Sequence, residues 1–330
     1  MHIAIPSHCN KRQTIKVLAL LSIILWMTNT TKAVVSSTYF SIDKARIELR
    51  YQNSFTAKER AKISYWLRQH SVGLTYLYGQ YPLEHSRYII KKASSGSGPV
   101  PWAQVERGDP DSIVFHVNAH YSLDELMADW TTPHELSHLL IPYPGYDDIW
   151  LSEGLASLYQ YLLPINVNLT SEHQAWQKLH LGFERGRNDI RLNHWSLQKL
   201  AARMHETGSF RRVYWSGAAY YLNVAYQLQS LGTSLPYTLL RFKGCCREAN
   251  KEWTGIEFVR SLDQFNQHRL FERNYYQWLN LQGMPDLRLA YNWFGVHVNA
   301  QRITLDSDPK YQQRRLALYH WQPNQIISNE

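Results

Sequence analysis

The sequence predicts an α+β fold, with a small mixed β-sheet lobe followed by a mainly helical lobe. Three observations predict it. Strand-like segments fall in the first 120 residues and again after residue 285, whereas a helical pattern runs from about 133 to 282. The order is strand, helix, strands, then many helices, which is not the alternation that builds a doubly wound parallel sheet. No segment recurs at a period of 20–50 residues, which argues against a solenoid or propeller. At 330 residues, with 44% apolar and 19% charged side chains, the chain is long and apolar enough to bury a core of its own.

The elements follow in order. Lys11, Arg12 and Lys16 precede an 11-residue run, Val17 to Met27, that is apolar except for Ser22. Thr31-Lys32-Ala33 then offers small residues to a signal peptidase, so residues 1–33 read as a cleaved secretory signal. An uncleaved membrane anchor is the alternative, disfavoured because a spanning helix needs about 20 apolar residues. Export would place the chain in a secreted or periplasmic location. Residues 42–51 alternate apolar and polar and read as a strand. Thr56 with Glu59 forms a capping box for a helix reaching Tyr78. Residues 87–92 and 113–117 are further strands. Between them, residues 94–111 are rich in Ser, Gly and Pro and read as a loop or lid. Ser122 with Glu125 starts another helix. Pro133 is awkward there: Thr132 can cap a new helix, or the helix from Ser122 runs on with a kink. The kinked continuous helix is the favoured expectation. Residues 286–305 read as strand or hairpin. The expected division is a signal at 1–33, a catalytic domain at 34–285 and a C-terminal strand or hairpin with a tail at 286–330. Within the domain, 34–140 form the mixed lobe and 141–285 the helical lobe.

Charge and cysteine exclude several classes. Residues 1–33 hold four of the 35 basic side chains and none of the 27 acidic ones, leaving the remainder at +4. That excess is small and dispersed, which argues against nucleic acid as a partner. No second segment is apolar enough to span a membrane, so no stable span is expected once the signal is cleaved. Cys9 leaves with the signal. Cys245 and Cys246 are adjacent, and neighbours rarely bridge each other. Without a CxxC, a thiolate zinc site is excluded.

One stretch carries chemistry: Thr132-Pro-His134-Glu135-Leu-Ser-His138. On a helix, two histidines four residues apart project from nearly the same face, one turn apart. Two such imidazoles can share a zinc ion, and Glu135 beside the first can act as general base on a water. Chance alone gives this spacing with an expectation of roughly 0.03 in such a chain, so a third ligand is needed. Glu153 supplies one. It sits in a helical pattern (Ile149, Leu151, Leu155, Leu158), and the connector Ile141-Pro-Tyr-Pro-Gly-Tyr146 is full of helix breakers. Helix, tight loop, helix would return Glu153 to the histidine pair. Two His and one Glu with an open position form a catalytic zinc set.

HELSH followed by DDIWLSEGLASLY resembles the gluzincin metallopeptidases, especially the aminopeptidase-N-like branch. The resemblance is dense over about residues 113–165. It implies a thermolysin-like gluzincin core, one zinc ion held by His134, His138 and Glu153, and Glu135 as the catalytic base. Tyr214-Trp-Ser-Gly217 resembles the Tyr-x-x-Gly element of that family, which implies that Tyr214 donates to the oxyanion. The sequence departs from the pattern in three ways. Fourteen residues, rather than 18, separate His138 from Glu153. The Gly-x-Met-Glu-Asn element that grips a free amino terminus is not found, which leaves endo- and aminopeptidase both open. The large preceding β-domain is missing.

The remaining candidates are weaker. Asn118 and Ala119 end the strand at 113–117 and are candidates for the sheet edge that pairs with a substrate backbone. His116, His120, His173, His180, His194 and His205 lack ligand spacing to one another. Asp147 and Asp148 fit caps for the helix carrying Glu153 better than partners of a ligand imidazole. The expected function is zinc-dependent hydrolysis of a peptide bond in a peptide or protein substrate. The rival is a non-catalytic gluzincin scaffold that binds peptides or envelope components.

Overall fold

The computed structural model describes residues 36–321, apart from Tyr78, residues 248–250 and Gln267. The expected signal segment, 1–33, and the last nine residues lie outside the described part.

The first lobe is a five-stranded mixed sheet. A hairpin of β1 (Ser36–Ile42) and β2 (Ala45–Tyr51) leads through α1 (Ala57–Thr75) into β3 (His85–Lys92), β4 (Trp102–Glu106) and β5 (Ser112–Val117). The strand order is β1-β2-β3-β5-β4. β3 runs parallel to β2 and β5, while the outer strands β1 and β4 are antiparallel to their neighbours. The predicted strand at 42–51 is thus β2 plus a turn, with Asp43 in the left-handed region, φ 50°. β1 was not anticipated.

α1 begins where the capping box places it. Thr56 Oγ1 accepts from Glu59 N at 3.2 Å, and Glu59 Oε2 accepts from Thr56 N at 2.7 Å. The helix buries Ile63, Trp66, Leu67 and Leu74, with Trp66 edge-on to Phe115 of β5 at 5.8 Å. Alternate residues of β2 (Ala45, Ile47, Leu49, Tyr51) are buried, as period-two patterning requires.

Residues 94–111 are not all loop. β4 lies among them as the edge strand beside β5, opposite residues 112–116. It reads Trp-Ala-Gln-Val-Glu between Gly/Pro-rich flanks, and its residues alternate between exposed and half-buried. An edge strand with one solvated face carries too little apolar signal to stand out from such flanks.

The helix from Ser122 does not run on. α2 (Leu123–Ala128) is capped by the expected Ser122–Glu125 box and stops at Asp129, which is extended at φ −71° and ψ 131°. α3 (Thr131–Ser137) then starts afresh, followed by one 3-10 turn, His138–Leu140. The kinked continuous helix is therefore corrected to two helices. Asp129 Oδ1 accepts from Thr131 N, the first amide of the new helix, at 2.8 Å, and the N-cap Trp130 makes no side-chain bond there. Pro133 falls in the first turn, where its missing N–H has no intrahelical partner to lose.

The second lobe is helical. It comprises α4 (Ile149–Leu162), α5 (Glu172–Arg187), α6 (Leu197–Ala202), α7 (Met204–Thr207), α8 (Phe210–Ser230), α9 (Leu235–Cys245), α10 (Gly255–Asp263) and α11 (Leu270–Leu279). α4 and α8 form its centre and touch backbone to backbone: a Cβ on Gly154 would overlap Gly217, and one on Gly217 would overlap the Trp150 carbonyl. Asp148 precedes α4 but makes no side-chain cap, which corrects that expectation. Its carboxylate instead accepts from the Tyr275 hydroxyl at 2.9 Å and from Gly255 N at 3.1 Å, tying α4 to α10 and α11. Cys245 and Cys246 are joined by a disulfide, contrary to expectation.

Residues 286–305 are also only partly strand. They form α12 (Arg288–Phe294) and then the hairpin β6 (Val296–Asn299) and β7 (Arg302–Leu305), and α13 (Pro309–Tyr319) follows. This segment packs on α5: Gln177 Nε2 donates to Gln301 O at 2.7 Å, and buried Arg315 pairs with Glu172 at 3.1 Å. Among the described residues, no helix is long and apolar enough to cross a membrane.

Candidate metal centre

The two histidines of the motif lie on α3 and at its end, with rings 5.0 Å apart and nearly perpendicular. The connector folds back so that α4 lies against α3 and brings Glu153 between them. Glu153 Oε2 is 3.2 Å from His134 Nε2, and Oε1 is 3.8 Å from His138 Nε2. One ligating atom from each of the three residues lies within 4.8 Å of the other two. All three side chains are largely shielded from solvent.

The opposite ring nitrogens are also held. His134 Nδ1 meets Gln160 Oε1 at 2.8 Å, and His138 Nδ1 meets Ser152 Oγ at 2.9 Å. An amide oxygen can only accept, so His134 carries a proton on Nδ1 and leaves Nε2 as the atom that can ligate. Two imidazole nitrogens and a carboxylate that converge on one point call for a proton or a cation among them. That chemistry, and the polar partner behind each imidazole, fit a zinc ion. The titrations follow from burial and neighbours. Burial pushes the His138 imidazole down to about 3. Burial would also lower His134, but the Glu153 carboxylate outweighs it and raises the ring. Glu153 itself is held below the usual carboxylate range: burial opposes this, and the two imidazoles prevail.

Glu135 follows the first ligand on α3 and is almost fully buried. Burial lifts its carboxyl to about 7, with the charge of Glu153 adding to the effect and His134 and Arg107 opposing it. Its side chain is not spent on capping, since the start of α3 has no capping box. Tyr214 comes from α8. Its ring stacks on His134 at 6.2 Å and 20°, and its hydroxyl is directed at the Glu153 carboxylate. Burial, then Glu153, push the phenol well above its usual value, so it stays a proton donor. The Gly154–Gly217 contact is what lets α8 approach closely enough for this.

Asn118 and Ala119 do not form the sheet edge. β5 is an interior strand, and the free edge beside α3 belongs to β4. The Asn118 side chain donates to Gly98 O at 2.6 Å, and Ala119 O accepts from Lys62 Nζ at 2.8 Å. Both residues anchor loops instead.

Four supporting side chains escaped the sequence reading. Gln160 lies seven residues past Glu153, two turns along the same face of α4, and Ser152 is its neighbour; helical spacing could have suggested Gln160. Arg107 and Arg247 left no signal, because the carbonyls they hold, His138 O and Leu139 O, are remote from them in sequence. Arg107 Nη2 donates to His138 O at 2.9 Å, and Arg247 Nε donates to Leu139 O at 2.8 Å. Both guanidinium groups share Asp111, at 3.0 and 2.7 Å.

No family model matches the chain, and no curated protein sequence matches it. Solved structures do. An aminopeptidase N family protein from Idiomarina loihiensis superposes with a TM-score of 0.57 at 14% identity, covering 81% of this chain and 50% of that one. A mutant M1 zinc metallopeptidase from Deinococcus radiodurans, bound to a Tyr-Ser-Ala substrate, gives 0.51 at 13% identity over 77% and 53%. Yeast leukotriene A4 hydrolase in complex with bestatin gives 0.50 at 16% identity over 78% and 42%. The chain spans about half the length of the first two and less of the third. Its fold is that of an aminopeptidase-N-like gluzincin core.

Proposed function

We propose that the chain is a zinc-dependent peptidase that binds one zinc ion through His134, His138 and Glu153. The observation that carries this reading is the convergence of both Nε2 atoms and the Glu153 carboxylate on one point, with Glu135 alongside. Zinc bound there supplies Lewis acidity toward water and toward a carbonyl oxygen.

The chain's own residues do the rest. Gln160 and Ser152 fix the imidazoles. Glu135, with an affinity for protons near neutrality, takes the proton of the attacking water and passes it to the leaving amine. Tyr214, held protonated, donates to the oxygen on which negative charge develops. The fold neighbours support this reading, two being named as metallopeptidase or aminopeptidase family members. The same reading places the chain outside the cytoplasm, on the strength of Lys11, Arg12 and Lys16 before the apolar run at 17–27. Amino-terminal sequencing of the exported protein tests that placement; a start at Met1 on a cytoplasmic protein overturns it.

The test of the activity is cleavage of unstructured peptides by the zinc-loaded protein beside Glu135→Gln. We expect about one zinc per chain in both, with turnover lower in the variant by about 10²–10⁴-fold. Equal turnover in the two would sink the assignment of Glu135. A folded protein that takes up no zinc would sink the whole reading.

A further inference from the structure

Stability does not account for the disulfide between Cys245 and Cys246. In the chain-entropy account, a cross-link stabilises a fold by closing a loop in the unfolded chain, and the gain grows with loop length. Adjacent cysteines enclose no intervening residue, so this bridge restrains one peptide unit and little else. It is also open to reagents, since Cys245 is exposed and Cys246 half-buried. Access of this kind is what thiol exchange requires.

The bridge ends α9. Cys246 is the C-cap, and its amide donates to Phe242 O at 2.9 Å. The next residue is Arg247, which is buried. Its guanidinium donates to Leu139 O at 2.8 Å and to Asp111 Oδ2 at 2.7 Å. Leu139 belongs to the 3-10 turn that closes α3, and that turn begins at His138. Asp111 also pairs with Arg107, whose Nη2 donates to His138 O. One arginine thus separates a reactive bridge at the surface from the carbonyls at the end of the helix that carries His134 and His138. While the bridge is closed, residues 245 and 246 are held and the Arg247 backbone leaves them in a fixed direction. Opening it returns conformational freedom to the segment from which Arg247 reaches inward.

We propose that Cys245–Cys246 is a thiol-exchange site whose reduction loosens the end of α3 through Arg247. The co-reactant is a dithiol, either a small molecule or a protein with two neighbouring cysteines. Its thiolate attacks the exposed Cys245 sulfur, and Cys246 leaves as a thiolate. The second thiol of the reductant then attacks its own sulfur in the mixed disulfide and expels Cys245. The reductant ends as a disulfide, and two electrons and two protons pass to the protein. This site is separate from the proposed hydrolysis and does not depend on it.

The test compares the full chain, without added metal, before and after treatment with dithiothreitol under folding conditions. Thiol titration should find two more thiols after treatment. Amide hydrogen exchange at residues 138–141 should quicken by about three- to thirtyfold, the scale of ordering up to one residue's backbone. The β1–β2 hairpin should keep its rates, and the unfolding temperature should hardly move, because no long loop is released. The double variant Cys245→Ser, Cys246→Ser should show the faster exchange at once and ignore dithiothreitol, which separates the bridge from any other effect of the reagent. Its zinc affinity, by competition with a chromogenic chelator, should be about three- to tenfold weaker than that of the oxidised chain, less than the loss of a direct partner of a ligand imidazole. Two free thiols at 245 and 246 before treatment, or a bridge that opens only in the unfolded chain, would overturn the proposal. So would unchanged exchange at 138–141, a rise spread evenly over the chain, or equal zinc affinities. If the oxidised chain binds no zinc, the peptidase reading fails by itself, and exchange in the metal-free chain still decides this proposal.

Discussion

Gln160 and Ser152 show how much of the centre depends on side chains that would not touch the metal. Each hydrogen-bonds the outer nitrogen of one imidazole and so holds that ring's orientation. Removing such a partner typically costs 10–100-fold in metal affinity. Gln160→Leu should therefore weaken zinc binding by about that factor, measured by competition with a chromogenic chelator; unchanged affinity would show that packing alone orients His134. Asp111 supports a second prediction. Burial favours its neutral form, but Arg247 and Arg107 outweigh that and hold its carboxyl below the ordinary 3.8. A depressed folded pKa stabilises the fold above the unfolded value, and that gain is lost as pH falls through the folded value. Stability should thus decline below about pH 4, in part through Asp111. Asp111→Asn should cost about 3 kcal/mol at neutral pH, because it strands a buried arginine, and should flatten the acid decline in urea titrations. An unaltered acid slope would exclude Asp111 as a contributor.

At the scale of elements, the decisive contact is between α4 and α8. Gly154 follows Glu153, and Gly217 lies one turn past Tyr214. The two helices meet there with no room for a side chain. Gly217→Ala should force them apart, costing about 1–3 kcal/mol and withdrawing the Tyr214 hydroxyl from Glu153. Thermal unfolding measures the first effect and turnover the second. A variant as stable and active as the wild type would mean that the helices slide to accommodate the methyl. The helix starts at Thr56 and Ser122 were readable because a capping box is a local pattern of two residues. The break between α2 and α3 was not. Whether a chain kinks or restarts at Pro133 depends on whether a nearby group can take up the freed amides, and Asp129 takes that of Thr131 from outside the motif. β4 and α12 were missed for a related reason: each carries a weak local pattern and is stabilised by its neighbours.

Among the described residues, His134 and His138 precede the turn between α3 and α4 and Glu153 follows it. Zinc binding should therefore be coupled to folding. At zinc concentrations about 1,000 times the Kd, the folded state should gain about 4 kcal/mol, and a chelator should remove it. A melting temperature indifferent to chelator would argue against a bound structural-scale ion. The sequence by itself set the spacings that a helix, a turn and a second helix convert into the converging group His134, His138 and Glu153, with Glu135 next to the first of them. It also determined the fold class, because hydrophobic periodicity is local. Only the tertiary structure decided which strand is the edge, β4 rather than the end of β5 at Asn118 and Ala119. It alone showed that Asp148 ties helices together instead of capping one, and that Arg107 and Arg247, both paired with Asp111, donate to the His138 and Leu139 carbonyls at the end of α3. Each of these depends on contacts between residues remote in sequence, whose energies come from burial and from shared charge and leave no periodicity along the chain.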